Sequence, residues 1–311
     1  MTDRITRKVI IDTDPSADDA VALMLAMASP ELEILGMTAA FGVCDSARSI
    51  KNIMKIQTLC GREEIPAVQG AEMPLVRRME FDDAYCGCDG LSQTGLPDPA
   101  KKEEPGEAWR FMAETVKRFP GQVSIISLAP MTNLALMIQN DQAAAKAAAG
   151  IYTIAGSYGL RPDYENLNPR SEWNLAQDPE AAAAVFGSGI PITAAGLDVT
   201  RRLDNSMMDR LLARENEKTK FLRRAVQFNL DHSLEPYSLL VDSAAVCLAL
   251  CPEIAKTVSG HVIVETRGEY TTGQTLFGNS GRFKKQGSFV QAAWDYDWEK
   301  LLSFLEKRVF S

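Results

Sequence analysis

The segment Asp12-Thr13-Asp14-Pro15-Ser16-Ala17-Asp18-Asp19 places four carboxylates within eight residues. Such a density of negative charge is unfavourable unless something positive sits among the acids. A helix N-terminus supplies only about half a unit charge. A hard divalent cation such as Ca²⁺ or Mg²⁺ takes oxygen ligands and would balance the group. The alternative is N-capping by Ser16 or Asp18, with the remaining acids in water. Either reading requires a junction between a strand and a helix.

The flanking residues supply that junction. Lys8 to Asp14 reads as a buried strand, because Val9, Ile10 and Ile11 form a β-branched apolar run. Pro15 and Ser16 break it, and Ala17 to Ala28 reads as a helix that is apolar on most sides. Further strands are expected at Leu32 to Phe41, Gln122 to Leu128, Gly150 to Ala155 and Ile190 to Leu197. Helices are expected at Ala47 to Leu59, ending at Gly61, and at Met131 to Gln139 and Pro179 to Phe186. Strands alternating with helices imply an α/β fold, a single open doubly wound domain over residues 1–311. Two irregular loops, Tyr85 to Glu104 and Ser157 to Asn174, fall where such folds keep their sites.

Composition removes several classes of function. The chain has 311 residues and a net charge of −8, and lacks the basic runs that nucleic-acid binding needs. The longest unbroken apolar run, Val21 to Ala28, is far shorter than the roughly 20 residues that span a bilayer. Neither a nucleic-acid nor a membrane partner is expected. Met1 to Lys8 has no apolar signal core, and six cysteines in a chain of this length are no disulfide framework, so cytoplasmic residence with reduced thiols is expected. Cys86-Gly87-Cys88 and Cys247 with Cys251 lack the spacing of zinc sites.

Four ordered motifs carry a family resemblance. Asp12-x-Asp14-Pro15 with Asp18-Asp19-Ala20 resembles the N-terminal fingerprint of the inosine-uridine-preferring nucleoside hydrolases, with Ser16 where the family has Gly. Leu128-Ala129-Pro130-Met131-Thr132-Asn133 is similar to a second signature. Asn166-Leu167-Asn168-Pro169-Arg170-Ser171-Glu172-Trp173-Asn174, followed by Asp178-Pro179, is similar to the ribose-binding segment. Val241-Asp242 stands where the family has His-Asp.

The resemblance implies a Ca²⁺-dependent hydrolase of a small-molecule ribonucleoside on a mostly parallel mixed sheet, in a homodimer or homotetramer. It implies that Asp14, Asp19, Asp242 and the Leu128 carbonyl hold the ion. Asp14 would also take the proton of the attacking water. Asp18, Asn174, Glu172 and Asn166 would hold the ribose hydroxyls. A carboxylate-rich pocket suits an oxocarbenium-like sugar.

The departures fall at the leaving-group side. Two histidines of the family pattern are Val241 and Cys86 here, and an Asn is Val43. Valine donates no proton. His232 is the candidate replacement acid, with Tyr237, Asp231 and Cys86 behind it; His261 reads as structural. Phe41, Tyr85, Tyr158, Trp173 and Tyr237 are candidates to stack on a base, and packing is their other reading. Altered base specificity follows, with a ribose-binding protein that has lost turnover as the alternative. Asp12-x-Asp14 also suits an aspartyl phosphotransferase, but the Asn166 to Asn174 match would then be unexplained.

Overall fold

The computed structural model describes residues 6–311 apart from 80, 82, 161–170 and 201–202. Among these residues nine strands form one sheet: β1 Arg7–Thr13, β2 Leu32–Ala39, β3 Ala67–Gln69, β4 Val123–Ser127, β5 Gly150–Ile154, β6 Ile192–Ala195, β7 Ala255–Val264, β8 Thr275–Gly278 and β9 Ser288–Tyr296. Their spatial order is β3-β2-β1-β4-β5-β6-β9-β7-β8. Every pairing from β3 through β9 is parallel, whereas β7 runs antiparallel to both β9 and β8.

The order explains where a site forms. From β1 the chain winds outward through β2 and β3, then returns to β4 on the other side of β1 and winds the opposite way. The crevice beyond the carboxyl ends of β1 and β4 is a topological switch point, where open α/β sheets bind ligands. Asp14 follows β1 by one residue, and Leu128 follows β4 directly.

Alternation along β1 sends Val9 and Ile11 into one apolar layer and Ile10 into the other, as helices on both faces require. Helix α1, Ala17–Met27, is buried all round except at Asp18. It packs against the helix Ser243–Leu250, which opens directly after Asp242. Helix α2, Ser46–Cys60, is capped by Asp45, whose carboxylate accepts from Arg48 N at 2.8 Å, and ends at Gly61 with φ of 63°.

The five strands read from the sequence are β1, β2, β4, β5 and β6, each within two residues at either end. β3 is only three residues long and escapes a pattern search. β7, β8 and β9 are not among the strands expected from the sequence, and His261 lies inside β7. β7 is exposed or half-buried over residues 255–259 and alternates buried and half-buried residues from Gly260 on, so its apolar signal is diluted. Trp173 and Asn174, expected in a loop, open the helix Trp173–Gln177, because the Glu172 carboxylate caps it. No helix among the described residues is long and apolar enough to cross a membrane.

Tyr296, the last residue of β9, donates its hydroxyl to Ala244 O at 2.9 Å and so ties the final strand to the Ser243–Leu250 helix.

Candidate active site

The four acids of the opening segment divide between two tasks. Asp12 points into the protein, where Oδ1 accepts from Thr38 Oγ1 at 2.6 Å and from Asn133 Nδ2 at 2.9 Å. Asn133 also donates to Ala39 O at 3.2 Å, so Asp12 fastens the ends of β1 and β2 together. Burial pushes the Asp12 carboxyl up to about 7, against the pull of both hydrogen bonds. Asp14, Asp18 and Asp19 face a cleft of about 350 Å³ together with Asp242.

Each of these acids is held by its own element. Val43 N donates to Asp14 Oδ2 at 2.8 Å. A Cβ on the neighbouring Gly42 would lie 1.7 Å from that oxygen, so only glycine lets the backbone approach. Asp19 accepts from Thr13 Oγ1 at 2.5 Å and from Ser16 N at 3.1 Å. Asp18 accepts from Ser16 Oγ. Asp18, Asp19 and Asp242 each bring a carboxylate oxygen within 4.8 Å of the others. This cluster includes Asp18, which the resemblance reserves for the sugar; Asp14 lies beside it with one oxygen taken by Val43 N.

Electrostatics make the cluster incomplete by itself. Burial, and then the charge of Asp19, push Asp14 well above the ordinary carboxylate range. Burial and then Asp18 push Asp19 up to about 7. Asp242 is driven well up by burial and then by Asp19, Asp18 and Asp14. Among the described residues that line the cleft there is no Lys, Arg or His. An all-oxygen donor set with no basic side chain fits a hard cation, which would let these acids ionise together.

Another part of the cleft wall is built by the N-terminus of the Trp173–Gln177 helix. Glu172 Oε1 accepts from Asn174 N at 2.9 Å, and Oε2 accepts from Leu175 N at 3.3 Å and Gly156 N at 3.4 Å. Burial pushes Glu172 up to about 7 in spite of these donors. Asn174 Nδ2 donates to Leu128 O at 2.8 Å, leaving that carbonyl a second lone pair. Behind this helix, Asp178 accepts from Thr132 Oγ1 at 2.6 Å and Leu75 N at 2.9 Å, which anchors the segment to the end of β4.

The structure brings Asp14, Asp18, Asp19, Leu128, Glu172, Trp173, Asn174 and Asp242 to one cleft. Asn166 lies outside the described residues. His232 does not line the cleft: its ring is exposed, stacks on Phe228 at 3.9 Å, and turns Nδ1 to Phe228 O at 2.8 Å. It ends the helix Glu217–Asp231, and its ring folds back on that helix's last turn. Tyr237 is also outside the lining and packs half-buried against the core, although its neighbour Ser238 lines the cleft. Cys86 donates its thiol to Val43 O at 3.3 Å, and burial pushes that thiol up to about 12.

Several lining residues were not singled out from sequence. Ser92, Thr200, Asn229 and Ser238 supply polar atoms, and Leu197, Leu234 and Leu239 supply apolar surface. Asn229 Nδ2 donates to Ser238 Oγ at 3.1 Å. Nothing in their local spacing marks them, because they converge from separate loops and helix ends.

The fold and the acid-lined cleft define an α/β protein with an oxygen-rich site at its switch point. The family model for inosine-uridine preferring nucleoside hydrolases matches residues 9–303, and the chain belongs to that family. It is 36% identical over 275 residues to the pyrimidine-specific ribonucleoside hydrolase RihA of Salmonella agona, across 86% of this chain and 87% of that one. The plant nucleoside hydrolase PpNRh1 superposes with a TM-score of 0.89 at 30% identity, covering 98% of this chain and 99% of its own. A purine-preferring ribonucleoside hydrolase from Gardnerella vaginalis superposes with a TM-score of 0.85 at 26% identity, covering 97% and 98%. The chain is thus an N-glycosyl hydrolase of ribonucleosides.

Proposed function

We propose that this enzyme hydrolyses the N-glycosidic bond of a ribonucleoside with Ca²⁺ as its ion, and that its base specificity departs from the family pattern. The observation that carries this reading is the union of Asp14, Asp18, Asp19, Asp242 and Leu128 with Glu172 and Asn174 around one cleft whose described lining has no basic side chain. Asp14, Asp19, Asp242 and the Leu128 carbonyl would hold the ion, with Asp18 close enough to share in it. When bound, the ion supplies charge compensation for the acids and acidifies a water at the anomeric face.

The chain's own residues do the rest. Asp14, fixed by Val43 N, accepts the proton of the attacking water. Glu172 and Asn174 orient the ribose and Asp18 its 2′-hydroxyl, so that the attack meets a positioned sugar. The surrounding carboxylates stabilise positive charge as the glycosidic bond opens.

The base side supports the altered specificity. Val43 and Val241 face the cleft, and the Cys86 thiol is occupied with Val43 O. No described lining residue on that side is a strong acid–base donor, which suits a base that leaves without protonation. The relatives differ in the bases their names specify, so relatedness alone does not fix this one.

The test is hydrolysis of p-nitrophenyl β-D-ribofuranoside, whose leaving group departs unaided. Turnover that needs calcium, stops with chelator and disappears in Asp14→Ala is the expected result. Absence of turnover with calcium present would refute the reading.

A further inference from the structure

A second cavity of about 290 Å³ shares part of its wall with the cleft. Val43, Tyr85 and Trp173 line both spaces. The second adds Arg77, Arg78 and Gln177, so its chemistry is opposite to that of the acid-lined cleft.

The arrangement is built. Arg77 donates Nε and Nη2 to Glu180 at 3.0 and 2.8 Å, and Nη2 also to Thr266 O at 2.9 Å. That clamp fixes the guanidinium, and Nη1 has no partner among the described residues. Arg78 is exposed and forms no ion pair among the described residues. Asp83, in the same loop, is taken by Arg48 at 2.8 Å. With its amide turned to satisfy both ends, Gln177 donates to Gly42 O at 3.2 Å and accepts from the Trp173 indole N–H. The indole is therefore held although it is 49% exposed, and the Tyr85 ring meets it at 5.6 Å. An aromatic surface held in place beside guanidinium donors that are open among the described residues is a platform for a planar or sugar-bearing anion.

We propose that this cavity is a subsite for an oxyanion carried by the nucleoside: a carboxylate on the base or a phosphate on the ribose 5′ position. Arg78 is its principal donor, Arg77 Nη1 its second, and Trp173 the shared wall. The inference deepens the functional reading above and rests on it for the nucleoside. Four carboxylates disfavour an anionic substituent at the deep end, and among the described lining residues the positive charge is that of Arg77 and Arg78 on this side.

Calorimetric titration of the calcium-loaded protein with uridine, orotidine (the 6-carboxylated uridine) and uridine 5′-monophosphate tests it. At least one anion is expected to bind about tenfold or more tightly than uridine. Preference for orotidine assigns the subsite to a base carboxylate, and preference for the monophosphate assigns it to the 5′ position. Arg78→Ala should remove most of that preference and Arg78→Lys should keep part of it. Uridine binding as well as both anions, neither anion binding, or a preference that survives Arg78→Ala would each overturn the proposal. Failure of the functional reading registers separately, as no nitrophenol released from the riboside.

Discussion

The two ends of the cleft are made of different material. The deep end is assembled from the tips of β1 and β4 and from three helix N-termini, with Asp14, Asp19, Glu172 and Asn174 each held by a backbone group or a buried neighbour. The outer end is assembled from loops and the close of the Glu217–Asp231 helix, and its lining includes Val43, Val241, Leu234 and Leu239. The contrast separates what the reaction requires from what the substrate requires. A ribosyl group and its hydrolysis need one arrangement of oxygens, whereas the departing base can vary with the side chains around it.

Four substitutions set the two ends against each other. Asp14→Ala should have the largest effect, lowering kcat on p-nitrophenyl riboside by about a thousandfold or more. Residual turnover within tenfold of the parent would mean that the deep end does not supply the base. Asp242→Ala should weaken calcium binding by about a hundredfold, read by calcium titration and by loss of calcium-dependent thermal stabilisation. Unchanged calcium affinity would remove Asp242 from the ligand set. At the outer end, Val241→His should raise kcat/KM on inosine or uridine by about tenfold, since it restores a proton donor. No gain would show that the outer end differs in shape as well as in donors. His232→Ala should change kcat by less than about twofold, because the ring lies on Phe228 outside the cleft. A loss near a hundredfold would bring that helix end into the reaction.

The same contrast governs what could be read without coordinates. The deep end is local in sequence: Asp14, Asp18 and Asp19 lie within six residues, and Glu172 to Asn174 within three. Their charge density and spacing demand an explanation wherever they occur. The five central parallel strands were legible for a related reason, since burial on both faces writes a continuous apolar run. The outer end has no such signature. Ser92, Asn229 and Ser238 meet only through tertiary packing, and nothing in the short stretch around each of them announces a shared wall. His232 and Tyr237 stood close to Asp242 in sequence, yet the reversal between the Glu217–Asp231 helix and Pro236–Leu240 turns both away from the cleft. The antiparallel part of the sheet was missed because β7 is exposed or half-buried over much of its length, and β8 is four residues long.

The position of β9 has a kinetic consequence. This strand is the last in the chain, yet it lies between β6 and the β7–β8 pair, which reaches the rest of the sheet through it. A chain emerging from the ribosome can pair β1, β2 and β4 early, but β7 and β8 have no place to dock until residues 288–296 are synthesised. The helix that follows Asp242 can already pack on α1 and the central strands, but its tie from Tyr296 to Ala244 O forms only once β9 is in place. A chain cut short before β9 would carry most of the parallel sheet but lose both that tie and the anchorage of β7 and β8.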